Sequence, residues 1–201
     1  MRASASVIRD LHRAQVPDAR LHDLDARAQR ILDDVASERS FSGAGFVQQA
    51  LGEYVEARLL AALLRDESEL PGLVGTLPVD ALLHGIADVV GELRRRLLDR
   101  LAADDHAAAK AAFDQMESLY DLLTDAEVPE ALVGLRPKRD QARGILERTR
   151  GDIMTAKKTK DLEKRIDGLS SLLDEAEHRG KPKPKAKAND DLDLDAAWSK
   201  K

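Results

Sequence analysis

The sequence predicts an all-α fold, an antiparallel bundle of about six to seven helices, and three observations carry that expectation. Ala, Leu, Arg, Asp and Glu dominate while aromatic residues make up 3% of the chain, so the residues that strands draw on are scarce. Apolar residues recur at the 3.6-residue helical period through successive stretches separated by Pro, Gly or Ser. No run of five or more residues alternates apolar and polar with β-branched enrichment.

The first stretch spans about 5–36, with Val7, Ile8, Leu11, Leu21, Leu24, Ala28, Ile31, Leu32 and Val35 as its stripe, and Pro17 is expected to divide or kink it. A Ser-Gly segment over 40–45 is the next break. The period resumes at Phe46 through Val47, Leu51, Val55, Leu59 and Leu63 and ends before Pro71-Gly72, a turn signal. Pro78 opens a third pattern carrying Leu82, Leu83, Ile86, Val89, Val90, Leu93, Leu97 and Leu101, because Pro is tolerated where its missing N–H has no partner to lose. Asp104 and Asp105 are candidate caps for a helix from His106 to about Leu123. A long pattern starts near Lys138 and runs to about Glu177. The last segment, KPKPKAKANDDLDLDAAWSKK, is too polar to bury a core and is expected to be disordered. The organisation is therefore a helical domain over 1–154, a helical extension over 155–180 and a charged tail over 181–201.

At 201 residues the chain suits one domain and an appendage. It has no cysteine, which excludes disulfides, thiolate metal sites and a cysteine nucleophile, so any metal must use Asp, Glu or His. The N-terminus lacks the apolar segment of a secretory signal and no apolar run approaches the ~20 residues that span a bilayer, so a cytoplasmic protein without membrane contact is expected. The net charge of −5 divides into −7 over 1–154 and +2 from Thr155 onward. Global charge thus does not advertise nucleic-acid binding, and basic contacts must be local.

Two acidic pairs stand out because of where they lie. Glu53 and Glu56 are three residues apart, and Asp88 and Glu92 four apart, so each pair shares one helix face inside a largely apolar stretch. Burying carboxylates is costly unless cations or hydrogen bonds compensate. Four oxygens from facing helices suit Mg²⁺ or Mn²⁺, with open positions for a phosphate and an attacking water. The plainer reading is that these acids face solvent or pair with Arg58 and Arg94–Arg96. Gly52 and Gly91 each precede an acid in mid-helix, where Gly costs ~1 kcal/mol against Ala, and so suggest close approach of a backbone or ligand.

A di-iron bundle needs Glu-x-x-His on two helices, and that motif occurs once, at Glu175 and His178. His84, four residues before Asp88, is a candidate ligand or proton shuttle, with packing as its ordinary alternative. His12, His22 and His106 show no partner pattern. Dinucleotide, phosphate-loop and nucleophile-elbow motifs are absent. Basic residues cluster at Arg94, Arg95 and Arg96, along Lys138, Arg139, Arg143, Arg148 and Arg150, and at Lys157, Lys158 and Lys160. Beside an acidic site they are candidates to neutralise the phosphates of a single strand.

The runs GFVQQALGEYVEA (45–57), LLHGIADVVGELRR (82–95) and LRPKRDQARGILERTRGDI (135–153), in that order and spacing, resemble the translin superfamily, closest to its archaeal-type members and the translin-associated factor X branch. The resemblance covers about 7–153. It implies an all-α protomer that assembles into closed homo-oligomers, often octameric shells, binding single-stranded RNA or single-stranded DNA. In the factor X branch it implies a metal-dependent endoribonuclease using the acids of the Glu-Tyr-Val-Glu-Ala and Ala-Asp-(x)3-Glu-Leu motifs, which fall on Glu53, Glu56, Asp88 and Glu92. Two other functions stay open: a non-catalytic single-stranded nucleic-acid-binding shell, and an all-α nucleotide pyrophosphatase. Against the family pattern the N-terminal helix looks shorter, so the basic residues that other members place upstream of Val7 are expected to be missing, His84 takes a normally apolar position, and the segment from Thr155 lies outside the pattern as a candidate partner-helix surface.

Overall fold

The computed structural model describes residues 2–13, 18–41, 43–65, 67, 76–129 and 133–180. Six α-helices follow one another among them: α1 (Arg2–His12), α2 (Asp18–Ser37), α3 (Gly45–Leu64), α4 (Val79–Ala102), α5 (His106–Asp125) and α6 (Arg136–Gly180), with a short 3-10 turn at Arg39–Phe41. No strand occurs among the described residues. The first stretch is two helices, whereas Pro17, the Pro71-Gly72 turn signal and the segment 181–201 lie outside the described residues. Packing divides the chain into Met1–Ala156 and Lys157–Lys201, and the boundary falls within α6.

The helix starts follow the local chemistry. Pro78 is the N-cap of α4. Asp105 caps α5, its side chain accepting from the Ala108 backbone N–H at 3.1 Å, which satisfies one of the orphan donors of the first turn. Asp104 instead takes the left-handed conformation at φ 59°, and its carboxylate accepts from His106 at 2.8 Å.

α3 is buried on nearly all sides, at Val47, Leu51, Tyr54, Val55, Ala57, Leu59, Leu60, Ala61 and Ala62, as expected of a helix that others surround. It packs against α1, α2 and α4, and α4 packs in turn against α5. From α6, Ala142, Leu146 and Thr149 are buried in the same unit.

α3 and α4 cross in close approach at Gly85. A Cβ on Gly85 would stand 2.5 Å from Val55 Cβ and 2.6 Å from the Gly52 carbonyl oxygen, closer than atoms can approach, so only glycine fits. A Cβ on Gly52, across the same crossing, would make only ordinary contact, 3.6 Å from the Ala81 carbonyl oxygen. At Gly91, in contrast to the sequence expectation of a close backbone, nothing among the described residues lies within 4 Å of where its Cβ would be.

Gly85→Ala is expected to lower stability by about 1–3 kcal/mol from overpacking, although Ala is the better helix former. Gly91→Ala should be neutral or raise stability by up to about 1 kcal/mol. Urea unfolding of both variants checks the contrast, and equal effects would mean that the crossing does not depend on residue 85.

Candidate functional site

Val55, the residue that meets Gly85, lies between Glu53 and Glu56, and Gly85 lies one turn before Asp88. Fixing that contact fixes the rotation of both helices and turns the two acidic pairs toward one region. Tyr54 points elsewhere. Its hydroxyl donates to Asp25 on α2 at 3.0 Å, and Arg58 stands 3.1 Å from the same carboxylate. Burial, with the Asp25 charge behind it, pushes the phenol far above its ordinary range, so Tyr54 stays protonated.

Glu56 is the focus of the acidic group. Half-buried, it has its pKa pushed up to about 7, first by burial and then by the charges of Asp88, Glu92 and Glu53, with Lys138 pulling the other way. Two of these neighbours have partners of their own. Lys138 of α6 donates to Asp88 Oδ1. His12 of α1, whose side chain is 5% exposed, donates from Nε2 to Glu92 Oε2 at 2.6 Å. Among the described residues no three His, Asp or Glu side chains are drawn together tightly enough to hold a metal ion as they stand. Lys138 and His12, from different helices, hold two of the four acids, and Glu56 feels the remaining negative charge.

A cleft of about 490 Å³ opens where α1, α3 and α4 meet. Glu53, Glu56 and Glu92 line it together with Ala5 and Ile8, and three exposed guanidiniums, Arg2, Arg9 and Arg95, stand around the acids. Asp88 is not part of this lining.

The basic residues singled out in the sequence have divergent fates. Arg95 opens into the cleft, and Lys138 pairs with Asp88. Arg94 ties α4 to α6 through Thr149 Oγ1 at 2.7 Å and Asp152 at 2.8 Å. Arg139 donates to the Leu123 and Ala126 carbonyls, both at 2.6 Å, and so closes the C-terminal end of α5. Arg96 lies near Arg100 and Asp105, its pKa lowered mainly by burial and then by Arg100. Arg143 is exposed and reaches Asp140, one turn back, at 3.5 Å. Neither Arg58 nor Arg94 has the acidic pairs as its described partner, contrary to the plainer sequence reading. His84 is committed to the Val133 carbonyl at 3.1 Å rather than to Asp88.

Sequence reasoning missed Arg2, Arg9 and His12. A signal was available: positions 2, 5, 9 and 12 recur at helical spacing on one face of α1, which is the face that meets the acids. The neighbouring apolar stripe of Val7, Ile8 and Leu11, whose Ile8 also reaches the cleft, is the stronger sequence signal and points to the core.

A structure of AfC3PO in complex with duplex RNA is 32% identical to this chain, covers 78% of it and 83% of its own length, and superposes with a TM-score of 0.61. The chain belongs to the translin superfamily. A crystal structure of AfC3PO gives a TM-score of 0.62 over the same coverage. Apo-NeC3PO, 26% identical over 77% of this chain and 82% of that one, gives 0.67. An uncharacterized protein of Methanocaldococcus jannaschii is 32% identical over 158 residues, 77% of this chain and 70% of that protein. No family model matches. Among the described residues of this translin-family chain, no helix is long and apolar enough to cross a membrane.

The raised Glu56 pKa sets a pH dependence. The folded value lies above the unfolded one, so ionised Glu56 opposes folding, little at pH below about 4.5 and fully above about 7. With divalent cations chelated, Glu56→Gln should raise the melting temperature at pH about 8 by about 2–4 °C, corresponding to about 1 kcal/mol once solvent screening is allowed for, and by much less near pH 5. Equal shifts at both pH values would show that Glu56 does not titrate between them.

Proposed function

We propose that this translin-family protein binds single-stranded RNA and cleaves it as a metal-dependent endoribonuclease. The observation that carries the reading is one cleft holding three glutamates and three exposed arginines, because a phosphodiester substrate needs cationic groups for its phosphates beside acids able to hold a divalent cation. The AfC3PO relative solved with duplex RNA supports RNA as the ligand class. The closed, octamer-like shell implied by the family resemblance belongs to the same proposal.

The donor chemistry suits Mg²⁺ or Mn²⁺, since the candidate ligands are all hard carboxylate oxygens that would have to draw closer together to hold the ion, and the strained ionisation of Glu56 is what an added cation would relieve. Glu53, Glu56 and Glu92 would hold it, with Asp88 able to join by exchanging its bond with Lys138. When bound, such a cation supplies Lewis acidity at the phosphoryl group and eases ionisation of water. Arg2, Arg9 and Arg95 neutralise the phosphates and orient the strand along the cleft. To hold a cation Glu56 would have to give up its proton, so cation affinity would rise with pH through about 7. His12 keeps the Glu92 carboxylate oriented toward the cleft.

A second reading, an RNA-binding shell without cleavage, draws on the existing pairing of Asp88 with Lys138 and of Glu92 with His12. Purified protein with Mg²⁺ or Mn²⁺ and unstructured RNA separates the two. On the catalytic reading, Glu53→Gln with Glu56→Gln lowers cleavage at least about 100-fold while RNA binding persists. Binding with no cleavage under either cation selects the shell, and cleavage by the double variant at the wild-type rate removes the acids from the mechanism.

Arg95→Ala tests the strand contact separately. It should weaken RNA binding similarly across sequences and reduce the slope of log affinity against log salt by about 0.7, the share of one phosphate on a single strand. Fluorescence anisotropy titrations over a range of salt concentrations measure it, and an unchanged slope would place the strand elsewhere.

A further inference from the structure

In the unit that begins at Lys157, α6 continues as a helix to Gly180, and its apolar residues are uncovered: Leu162, Ile166, Leu169, Leu172 and Leu173 are each 52–68% exposed. A solvated helix has no reason to carry them, since packing of an apolar face supplies most helix stability and Gly168, Ser170 and Ser171 weaken this segment's own propensity.

Their spacing is informative. Leu162, Ile166, Leu169 and Leu173 follow one another at steps of four, three and four, the 3.5-residue repeat of a coiled-coil seam. Thr159 and Ala176 extend it to three heptads, with Thr159, Ile166 and Leu173 at a and Leu162, Leu169 and Ala176 at d. In the first two heptads, β-branched Thr159 and Ile166 at a with Leu162 and Leu169 at d favour two parallel strands.

The flanking charges identify the occupant. Lys158 and Arg165 stand at g together with Leu172, and Glu163 and Glu177 at e together with Ser170. A parallel copy sets g against e, so Lys158 meets Glu163 of the other helix and no like charges face each other. An antiparallel copy instead sets the basic g flank against its own kind and the acidic e flank against its own kind. A helix whose two flanks are oppositely charged in this way is complementary to itself in one orientation. We propose that the 157–180 segment forms a parallel, in-register two-stranded coiled coil with a second copy of this chain. The inference does not depend on the proposed RNA chemistry.

The absence of cysteine makes the full-length chain a clean background for cross-linking. Under mild oxidation, Leu169→Cys at the seam should form disulfide-linked dimers at least about tenfold faster than Ser171→Cys, which sits at f on the outer face. Adding Ile166→Asp to Leu169→Cys should slow this linkage to the Ser171→Cys rate, while the melting temperature of the 1–156 unit is unchanged, which separates loss of the seam from loss of folding. Equal rates for Leu169→Cys and Ser171→Cys would overturn the proposal, leaving the face to another segment or a different protein. Faster linkage in a mixture of Leu162→Cys and Leu173→Cys than within either alone would overturn the parallel orientation.

Discussion

The approach of α4 to α3 at Gly85 is the constraint from which the site's geometry follows. Because no Cβ fits between residue 85 and either Val55 or the Gly52 carbonyl, the two helices meet there backbone to side chain, and neither can rotate without a clash. Glu53 and Glu56 bracket Val55 in α3, while Asp88 and Glu92 follow Gly85 by one and two turns in α4. The crossing therefore sets where four carboxylates go. Its stability comes from the apolar residues of the same helices, such as Leu51, Leu60, Val89, Val90 and Leu93, all fully buried.

Gathering four acids costs free energy, and the fold distributes that cost unevenly. α6 brings Lys138 to Asp88 and α1 brings His12 to Glu92, so these two carboxylates have charge or hydrogen-bond compensation. Glu56 has neither in comparable measure and carries the consequence as a proton affinity raised into the neutral range. A group held this way is strained when ionised, which makes the cleft receptive to positive charge. The guanidiniums around it come from α1 and α4.

The fate of the arginines shows why basic clusters in sequence are weak guides to surfaces. Arg94, Arg95 and Arg96 are consecutive, yet helical geometry sends them about 100° apart. Arg94 goes to α6, Arg95 to the cleft and Arg96 toward Arg100 and Asp105. Arg139 closes a helix end instead of facing solvent. The acidic unit can thus present a locally basic rim built from residues that sequence proximity does not group.

Periodicity and residue chemistry were enough to read the helices, the cap at Asp105, the division of the first stretch, and the two acidic pairs with their shared faces, because each depends on neighbours within about one turn. The family motifs lay in the same local runs. Tertiary structure alone decided which glycine is indispensable, since Gly91 and Gly85 look alike in a helical pattern and differ only in what lies opposite. It also decided the partners: His12 and Glu92 are 80 residues apart and Lys138 and Asp88 are 50 apart, so no local spacing records them. Local steric preference acts through bonds and adjacent turns, whereas pairing of charges acts through space, and only the packed helices bring those distances within reach.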